Sequence, residues 1–154
     1  MKPNTFRRLV NLWPPFLGAG ISVKHINDDF SAVDVELKMR FYNKNYVGTH
    51  FGGSMCAMTD PFYMLILMKQ LGKDYIVWDK STKIDFKKPG KGTLTAHFNI
   101  TKQQVKSIKA AADKNRKTEP KFTVDIRDAA GDIVASVEKT LYVRRKNGKN
   151  AAKP

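Results

Sequence analysis

The chain has 154 residues, of which 42% are hydrophobic and 10% aromatic, and its formal net charge is +14. This length suits one domain with a substantial core, and the abundance of large apolar side chains disfavours intrinsic disorder. The single cysteine, Cys56, excludes an internal disulfide framework and a cysteine-based zinc site. The longest apolar run, residues 62–68, is far shorter than the ~20 residues of a membrane span, and no signal peptide is visible, so we expect a soluble cytoplasmic protein.

Most of the excess positive charge is concentrated in two segments. Residues 101–121 carry seven basic and two acidic side chains, and residues 144–154 carry five basic and no acidic ones. The excess is therefore local, and it says little about the function of the folded body.

The first part of the chain predicts a short helix and then a hairpin. Residues 5–13 have an amphipathic pattern that stops at the pair Pro14–Pro15. Residues 21–26 alternate, a turn follows at 27–29, and residues 31–40 alternate strictly between apolar and polar side chains. Such alternation is typical of a strand with one face on the core and one in water.

The middle of the chain predicts a loop and a buried helix. Residues 43–53 are rich in Asn and Gly, and residues 54–72 are mostly Met, Leu and other apolar residues, ending in a glycine. This composition favours a helix, and because the segment is apolar on nearly every side, we expect it to be buried at the centre of the domain.

The rest of the chain predicts mainly strands. In chain order we expect extended segments at 75–78 and 83–86, a turn at 88–92, a strand at 93–100, a helix at 102–117, a strand at 122–126, a turn at 129–132 and a last strand at 133–143. One apolar helix against a mostly antiparallel sheet is an α+β arrangement. We expect one domain over residues 1–143 and a disordered basic tail at 144–154.

The stretch that leads into the predicted helix is the part of the sequence most suggestive of chemistry. Consecutive glycines at a helix entrance, here Gly52 and Gly53, let a ligand approach free backbone N–H groups, where the helix dipole favours developing negative charge. A carbonyl oxygen polarised there is set up for attack.

Asp60 lies eight residues beyond Gly52, inside the apolar helix. Burial of an unpaired carboxylate is costly, so its presence suggests either a nucleophile for a carbonyl or a general base for a water. Alternatively, Asp60–Pro61 matches an N-cap followed by a first-turn proline, which indicates that the helix restarts or kinks there. The two interpretations are compatible, and the residues alone do not separate them.

Other chemistry-bearing residues give weaker signals. The histidines His25, His50 and His97 lack ligand spacing, so we predict no metal site. Cys56 has the surroundings of a small buried hydrophobe. No nucleotide-binding or serine-hydrolase motif occurs.

A larger set of residues shares a characteristic order and spacing: Asn45, Gly48, Thr49, Phe51, Gly52, Gly53, Ser54, Asp60, Pro61, Phe62 and Tyr63. This set resembles the hotdog-fold thioesterase superfamily, in particular phenylacetyl- and acyl-CoA thioesterase-like proteins and a small bacterial subgroup with an FGGS…DPFY signature. Segments 85–96 and 127–135 are similar to later hairpins of that fold. Two positions depart from the general pattern, since Phe51 replaces a histidine and Pro61 follows the aspartate.

The resemblance implies an antiparallel sheet wrapped around a long central helix, in a homodimer or a dimer of dimers with sites at the subunit interface. It implies hydrolysis of acyl-CoA thioesters with no cofactor other than the coenzyme A of the substrate. The Gly52 amide would polarise the thioester carbonyl, Asp60 of the neighbouring subunit would be nucleophile or general base, and Asn45 would orient water or carbonyl. The implied substrate contacts are Gly53, His50, Phe51, Ser54, Tyr63, Lys87 and Lys88.

Two other functions stay open at this point. A non-catalytic acyl-CoA or fatty-acyl binder, or a dehydratase relative, would keep the pocket without thioester hydrolysis. A basic nucleic-acid-binding module would use the net charge, but no RRM, KH or helix-turn-helix signature supports it. The basic residues near the predicted cleft, including Arg144 and Arg145, either attract the phosphates of coenzyme A or form a solvated face.

Overall fold

The computed structural model describes residues 2–146. The helices are α1 (Pro3–Asn11), α2 (Pro14–Ala19), α3 (Gly52–Thr59), α4 (Phe62–Leu71) and α5 (Lys102–Asn115). The strands are β1 (Ile21–Ile26), β2 (Ala32–Lys38), β3 (Tyr75–Phe86), β4 (Thr93–Asn99), β5 (Lys117–Thr118), β6 (Lys121–Arg127) and β7 (Ile133–Arg145).

All seven strands belong to one antiparallel sheet. Its order is β1-β2-β4-β6-β7-β3, and the short β5 also pairs with β7. Within the described residues β3 pairs only with β7, so β3 is an edge strand. The predicted α+β class, with an antiparallel sheet wrapped around a buried helical segment, is confirmed.

Alternation along the strands builds the core. In β2 the side chains of Val33, Val35 and Leu37 are buried, whereas Asp34 and Glu36 between them are partly exposed. The buried side chains meet α3 and α4, whose residues Met58, Phe62, Ile66 and Leu67 are at most 1% exposed. The helices are apolar on nearly all sides because the sheet curves around them.

Several boundaries differ from the sequence expectations. Pro14 and Pro15 end α1, as predicted, but they also begin α2, because proline is well suited to a first helical turn. The two predicted segments 75–78 and 83–86 are one strand, β3, with an irregularity between Asp79 and Ser81. Arg144 and Arg145 belong to β7 rather than to the tail, and residues 147–154 lie outside the described part of the chain.

The predicted central helix is broken in two at Asp60–Pro61. The Asp60 N–H donates to the Ala57 carbonyl at 3.3 Å, and Pro61 has no N–H with which to continue the helix. The kink in the alternative interpretation is therefore confirmed, but its N-cap is wrong, because α4 begins after Pro61 without a side-chain cap. The carboxylate of Asp60 is left available for another contact.

The core around Phe62 provides a test of this packing. The Phe62 ring lies 5.0 Å from the Phe98 ring and 5.9 Å from the Phe16 ring, between centroids. Phe62→Ala is expected to lower the free energy of unfolding by about 3–5 kcal/mol, because it leaves a cavity. Phe41, which is 89% exposed, is the matched control, and Phe41→Ala should change the free energy of unfolding by less than about 0.5 kcal/mol. Urea denaturation measures both, and equal losses would contradict the described core.

Candidate functional site

The glycine pair stands at the beginning of α3, as the sequence predicts. Phe51 is the N-cap residue and Gly52 the first helical residue. The Ser54 N–H donates to the Phe51 carbonyl at 3.0 Å, whereas the N–H groups of Gly52 and Gly53 donate to no described residue. Two backbone donors are therefore free where the helix dipole is positive.

Two aromatic rings close around these glycines. A Cβ atom on Gly52 would lie 3.1 Å from Cζ of Phe86, and one on Gly53 would overlap the Phe51 ring. Phe51 is 59% exposed and Phe86 is 52% exposed. The glycines thus keep the amides accessible between two rings that are themselves open to solvent or to a partner.

Gly52, but not Gly53, lines a cleft of about 430 Å³, which we call the glycine cleft. Its lining residues are Asn45, Thr49, His50, Gly52, Met55, Phe86, Lys87, Lys88, Pro89 and Gly90. Five of the predicted site residues therefore meet in one place, although they come from two separate stretches of the chain.

Asn45 is already fully occupied in this cleft. Its Nδ2 donates to Thr49 Oγ1 at 2.8 Å and to the His50 carbonyl at 3.2 Å. Its Oδ1 accepts from the Val47 N–H at 3.1 Å and the Thr49 N–H at 2.9 Å. In this structure Asn45 braces the loop that delivers Gly52, and its role toward water or carbonyl stays a prediction.

His50 is buried in the wall of the glycine cleft. Its Nε2 lies 2.7 Å from the Gly92 carbonyl oxygen, and its Nδ1 has no hydrogen-bond partner among the described residues. A carbonyl oxygen can only accept, so Nε2 carries the proton, and in the neutral ring Nδ1 is left as an acceptor.

The two predicted lysines differ in their availability. Lys88 Nζ lies 2.7 Å from both Asp128 Oδ2 and Asp132 Oδ2, and the hydrogen bond to Asp128 raises the pKa of Lys88. Lys87 Nζ lies 3.8 Å from Asp85 Oδ2, in a looser and half-exposed pair. Lys87 is therefore the freer cation at the glycine cleft.

Asp60 lies in a second cleft of about 380 Å³, which we call the aspartate cleft. Its lining residues are Trp13, Pro15, Phe16, Cys56, Ala57, Asp60, Thr82 and Ile84, none of which lines the glycine cleft. The expectation of a buried carboxylate is wrong, because the Asp60 side chain is 66% exposed. The helix break turns it out of the apolar interior.

A buried lysine that the sequence analysis did not single out contacts Asp60. The side chain of Lys139, on β7, has no exposed surface, and its Nζ lies 3.2 Å from Asp60 Oδ1. On another side Nζ lies 3.0 Å from Asp79 Oδ1, and burial raises the pKa of Asp79 despite this contact. The sequence does contain a signal for this buried lysine, because Lys139 alternates in phase with the apolar residues Val137 and Leu141 along the last predicted strand.

Two predicted substrate contacts face the core instead of a cleft. The Tyr63 hydroxyl donates to the Thr123 carbonyl at 2.8 Å, and its ring stacks on Phe122 with centroids 4.7 Å apart. Ser54 is 8% exposed and lines neither cleft. Helical periodicity accounts for both, since α3 and α4 turn these positions toward the sheet.

The described residues contain no group of three or more His, Cys, Asp or Glu side chains that could hold a metal ion. In the same part of the chain, none of the helices is long and apolar enough to cross a membrane.

Comparison with known proteins adds the family. Residues 3–143 match the family described as a domain of unknown function, DUF4442. The chain belongs to this family. A comparison with curated proteins finds no match for this DUF4442 chain.

Solved structures similar to this DUF4442 chain share its fold at low identity. A Pseudomonas aeruginosa protein of unknown function, described as a probable thioesterase, is 15% identical with a TM-score of 0.83, covering 95% of this chain and 97% of that chain. A thioesterase of Haemophilus influenzae is 14% identical with a TM-score of 0.69, covering 98% and 96%. AziG of S. sahachiroi is 22% identical with a TM-score of 0.64, covering 88% and 99%. The predicted hotdog fold is confirmed.

The buried position of Tyr63 predicts a pH dependence of the stability of this DUF4442 chain. Burial, and next the negative charge of Asp125, raise the pKa of Tyr63 from 10.0 to about 12. A group whose pKa is raised on folding stabilises fully below its unfolded value, so this contribution is lost between about pH 10 and pH 12.

The free energy of unfolding, measured in urea across that pH range, should fall less steeply for Tyr63→Phe than for the wild type. Tyr46 is fully exposed, so the control variant Tyr46→Phe should show the same slope as the wild type. Identical slopes for all three proteins would show that Tyr63 ionises normally.

Proposed function

We propose that this protein hydrolyses acyl-CoA thioesters at a site assembled from two copies of the chain. The observation that carries the proposal is that α3 has free N–H groups at its start and an accessible carboxylate, that of Asp60, at its end. The hotdog fold, shared with the probable thioesterase of P. aeruginosa and the thioesterase of H. influenzae, supports it.

The chemistry needs an oxyanion donor and a carboxylate on the same thioester. The Gly52 amide would donate to the carbonyl oxygen and stabilise the negative charge that develops on it. Asp60 would then attack the carbonyl carbon, so that the C–S bond breaks, the coenzyme A thiolate leaves, and water hydrolyses the acyl-aspartate. Alternatively, Asp60 takes a proton from a water that attacks the same carbon. Both routes consume one water and give a carboxylic acid and free coenzyme A.

One chain does not bring these two groups to one substrate atom. Gly52 and Asp60 are eight residues apart along α3, which corresponds to about 12 Å along a helix axis. The two residues also line different clefts. A carbonyl group spans far less than this distance, so we place the amide and the carboxylate that act together on different copies.

The edge strand β3 offers a way to bring two copies together. It runs over twelve residues and pairs with β7 on one side only, so its other side presents unpaired backbone groups. Two such edges paired antiparallel about a two-fold axis would place their central helices antiparallel. The start of one α3 would then lie beside the end of the other, and Gly52 would face Asp60 of the second copy.

The clefts suggest how the two ends of the substrate would be held. Trp13, Phe16 and Ile84 give the aspartate cleft apolar walls suited to an acyl chain. Lys87 gives the glycine cleft a loosely paired cation suited to the phosphates of coenzyme A.

A non-catalytic acyl-CoA binder is the second candidate, and one observation favours it. Every polar atom of the Asn45 amide is used within its own loop, so Asn45 is not free to orient a water. A binder would be stabilised thermally by acyl-CoA without releasing thiol.

The mechanism is tested by thiol release from a panel of acyl-CoA thioesters. Asp60→Asn removes the charge but keeps the shape, and it should lower kcat by about 10²–10⁴-fold. Asp28→Asn, at an exposed aspartate in the β1–β2 turn, is the matched control and should retain wild-type turnover. Undiminished turnover in Asp60→Asn would contradict the mechanism. If acyl-CoA stabilises the wild type thermally but no thiol is released, the non-catalytic binder is favoured.

The two-copy site is tested by mixing two inactive variants. Gly52→Pro removes the amide N–H at the first helical position, where the backbone suits proline, and Phe51 already has the extended backbone (φ −65°, ψ 129°) that precedes proline. The added Cβ would lie 3.1 Å from Phe86 Cζ, so the half-exposed Phe86 ring has to move slightly. A mixed dimer of Gly52→Pro and Asp60→Asn would contain one intact site if each site draws on both copies.

Equal amounts of the two variants, dissociated and then reassembled at random, should therefore recover about a quarter of wild-type activity. About half of the dimers are mixed, and each mixed dimer has one intact site out of two. A site contained in one chain would give no recovery.

A further inference from the structure

The strand next to the edge strand, β7, holds a buried ammonium group that the proposed reaction does not yet use. Lys139 occupies an inward position of β7, in phase with Val137 and Leu141, and all three have no exposed surface. Its Nζ contacts one oxygen of Asp60, at 3.2 Å, and one oxygen of Asp79, at 3.0 Å. The three side chains therefore form a chain of charges from the edge strand to the helix break.

Packing alone does not account for a lysine at this position. A buried ion pair is often no more stabilising than apolar residues of similar volume, because desolvation offsets the attraction. The inward neighbours of Lys139 on β7 are apolar, so Met or Leu would suit the register. A charge retained here needs a reason connected with its partners.

Only one oxygen of Asp60 is held. Oδ1 accepts from Lys139, whereas Oδ2 makes no hydrogen bond or ion pair with any described residue. The Asp60 side chain is 66% exposed and stands at a helix break, where an untethered carboxylate would exchange between rotamers. Contact through Oδ1 removes that freedom and leaves Oδ2 for a substrate or a water.

We propose that Lys139 is a positioning residue that fixes the carboxylate of Asp60 through Oδ1 and thereby aims Oδ2 at the reacting carbonyl or water. Asp79 holds the same ammonium from β3 and keeps it from following Asp60 toward solvent. The inference rests on the proposed function, since it assigns how the reacting carboxylate of that site is oriented.

The other potential nucleophile of the aspartate cleft is disfavoured by its surroundings. Cys56 lies four residues before Asp60 and lines the same cleft. Burial, and next the charge of Asp60, raise the pKa of the Cys56 thiol, so it stays protonated and weakly nucleophilic at neutral pH. The oriented carboxylate is left as the reactive group.

The test replaces the ammonium by an apolar chain of similar length. Lys139→Met should lower kcat by about 100-fold, as expected for a displaced catalytic group, and should change KM little, because Lys139 touches no substrate. Lys121→Met, at an exposed lysine of the neighbouring strand β6 that pairs with Glu138, is the matched control and should change neither constant.

The Asp60→Asn background separates positioning from a general structural effect. If Lys139 acts through Asp60, adding Lys139→Met to Asp60→Asn should cause no further loss of kcat. Wild-type kcat in Lys139→Met, or an equal further loss in the Asp60→Asn background, would overturn the inference. If Lys139→Met does not fold because Asp79 is left unpaired, Lys139→Met/Asp79→Asn removes that charge and has the same expected outcomes.

A measurement without substrate keeps this inference distinct from the proposed function. Urea midpoints of the wild type, Asp60→Asn, Lys139→Met and the double variant form a cycle, and the contact predicts clearly non-additive shifts. Additive shifts would show that Lys139 does not hold Asp60, whatever the activity. If the shifts are non-additive but the wild type releases no thiol, the contact between Lys139 and Asp60 is established, and both the proposed function and the catalytic role of this contact are overturned.

Discussion

Lys139 places a positive charge in the interior of the domain, on the strand that joins the edge of the sheet to its centre. Its two partners come from different elements, Asp60 from the break between α3 and α4 and Asp79 from the edge strand β3. An unpaired ammonium at this depth costs several kcal/mol. The helix break and the edge strand therefore both contact β7 at one point.

The break at Asp60–Pro61 becomes intelligible in these terms. Proline ends α3 because it has no N–H, and the chain turns the Asp60 side chain out of an otherwise apolar helix toward Lys139. The same helix begins with two free amides at Gly52 and Gly53. The length of α3 separates the two polar ends, so in the proposed function each end would act with the opposite end of α3 in another copy. The fold is described within one chain, whereas the proposed chemistry needs two.

The helices, the strands and the α+β class could be predicted largely from local patterns, whereas the hotdog fold was predicted from a family resemblance and the site only in part. Period-two alternation identified β2 and the other main strands because one face of each meets the core and the other meets water. The glycine entrance and Asp60 stood out because they are unusual in an apolar stretch. The contact between Asp60 and Lys139 could not be predicted from local patterns, since the two residues lie 79 positions apart in the sequence. Tyr63 was predicted to contact substrate because it adjoins the motif, but its helical position turns it to the core, and a contact with substrate stays a prediction.

The distribution of charge connects the interior cluster with the basic surface. Asp60, Asp79 and Lys139 together carry one net negative charge, and a reacting carboxylate of that sign opposes the approach of a polyanionic substrate. The buried ammonium offsets one of the two carboxylates at short range, where salt screens little. Lys87 is half-exposed at the mouth of the glycine cleft, and it would attract phosphates away from the carboxylate. The distribution of positive charge thus suits the proposed substrate, which carries phosphates at one end and a neutral thioester at the other, better than a nucleic acid, whose phosphates repeat along its whole length.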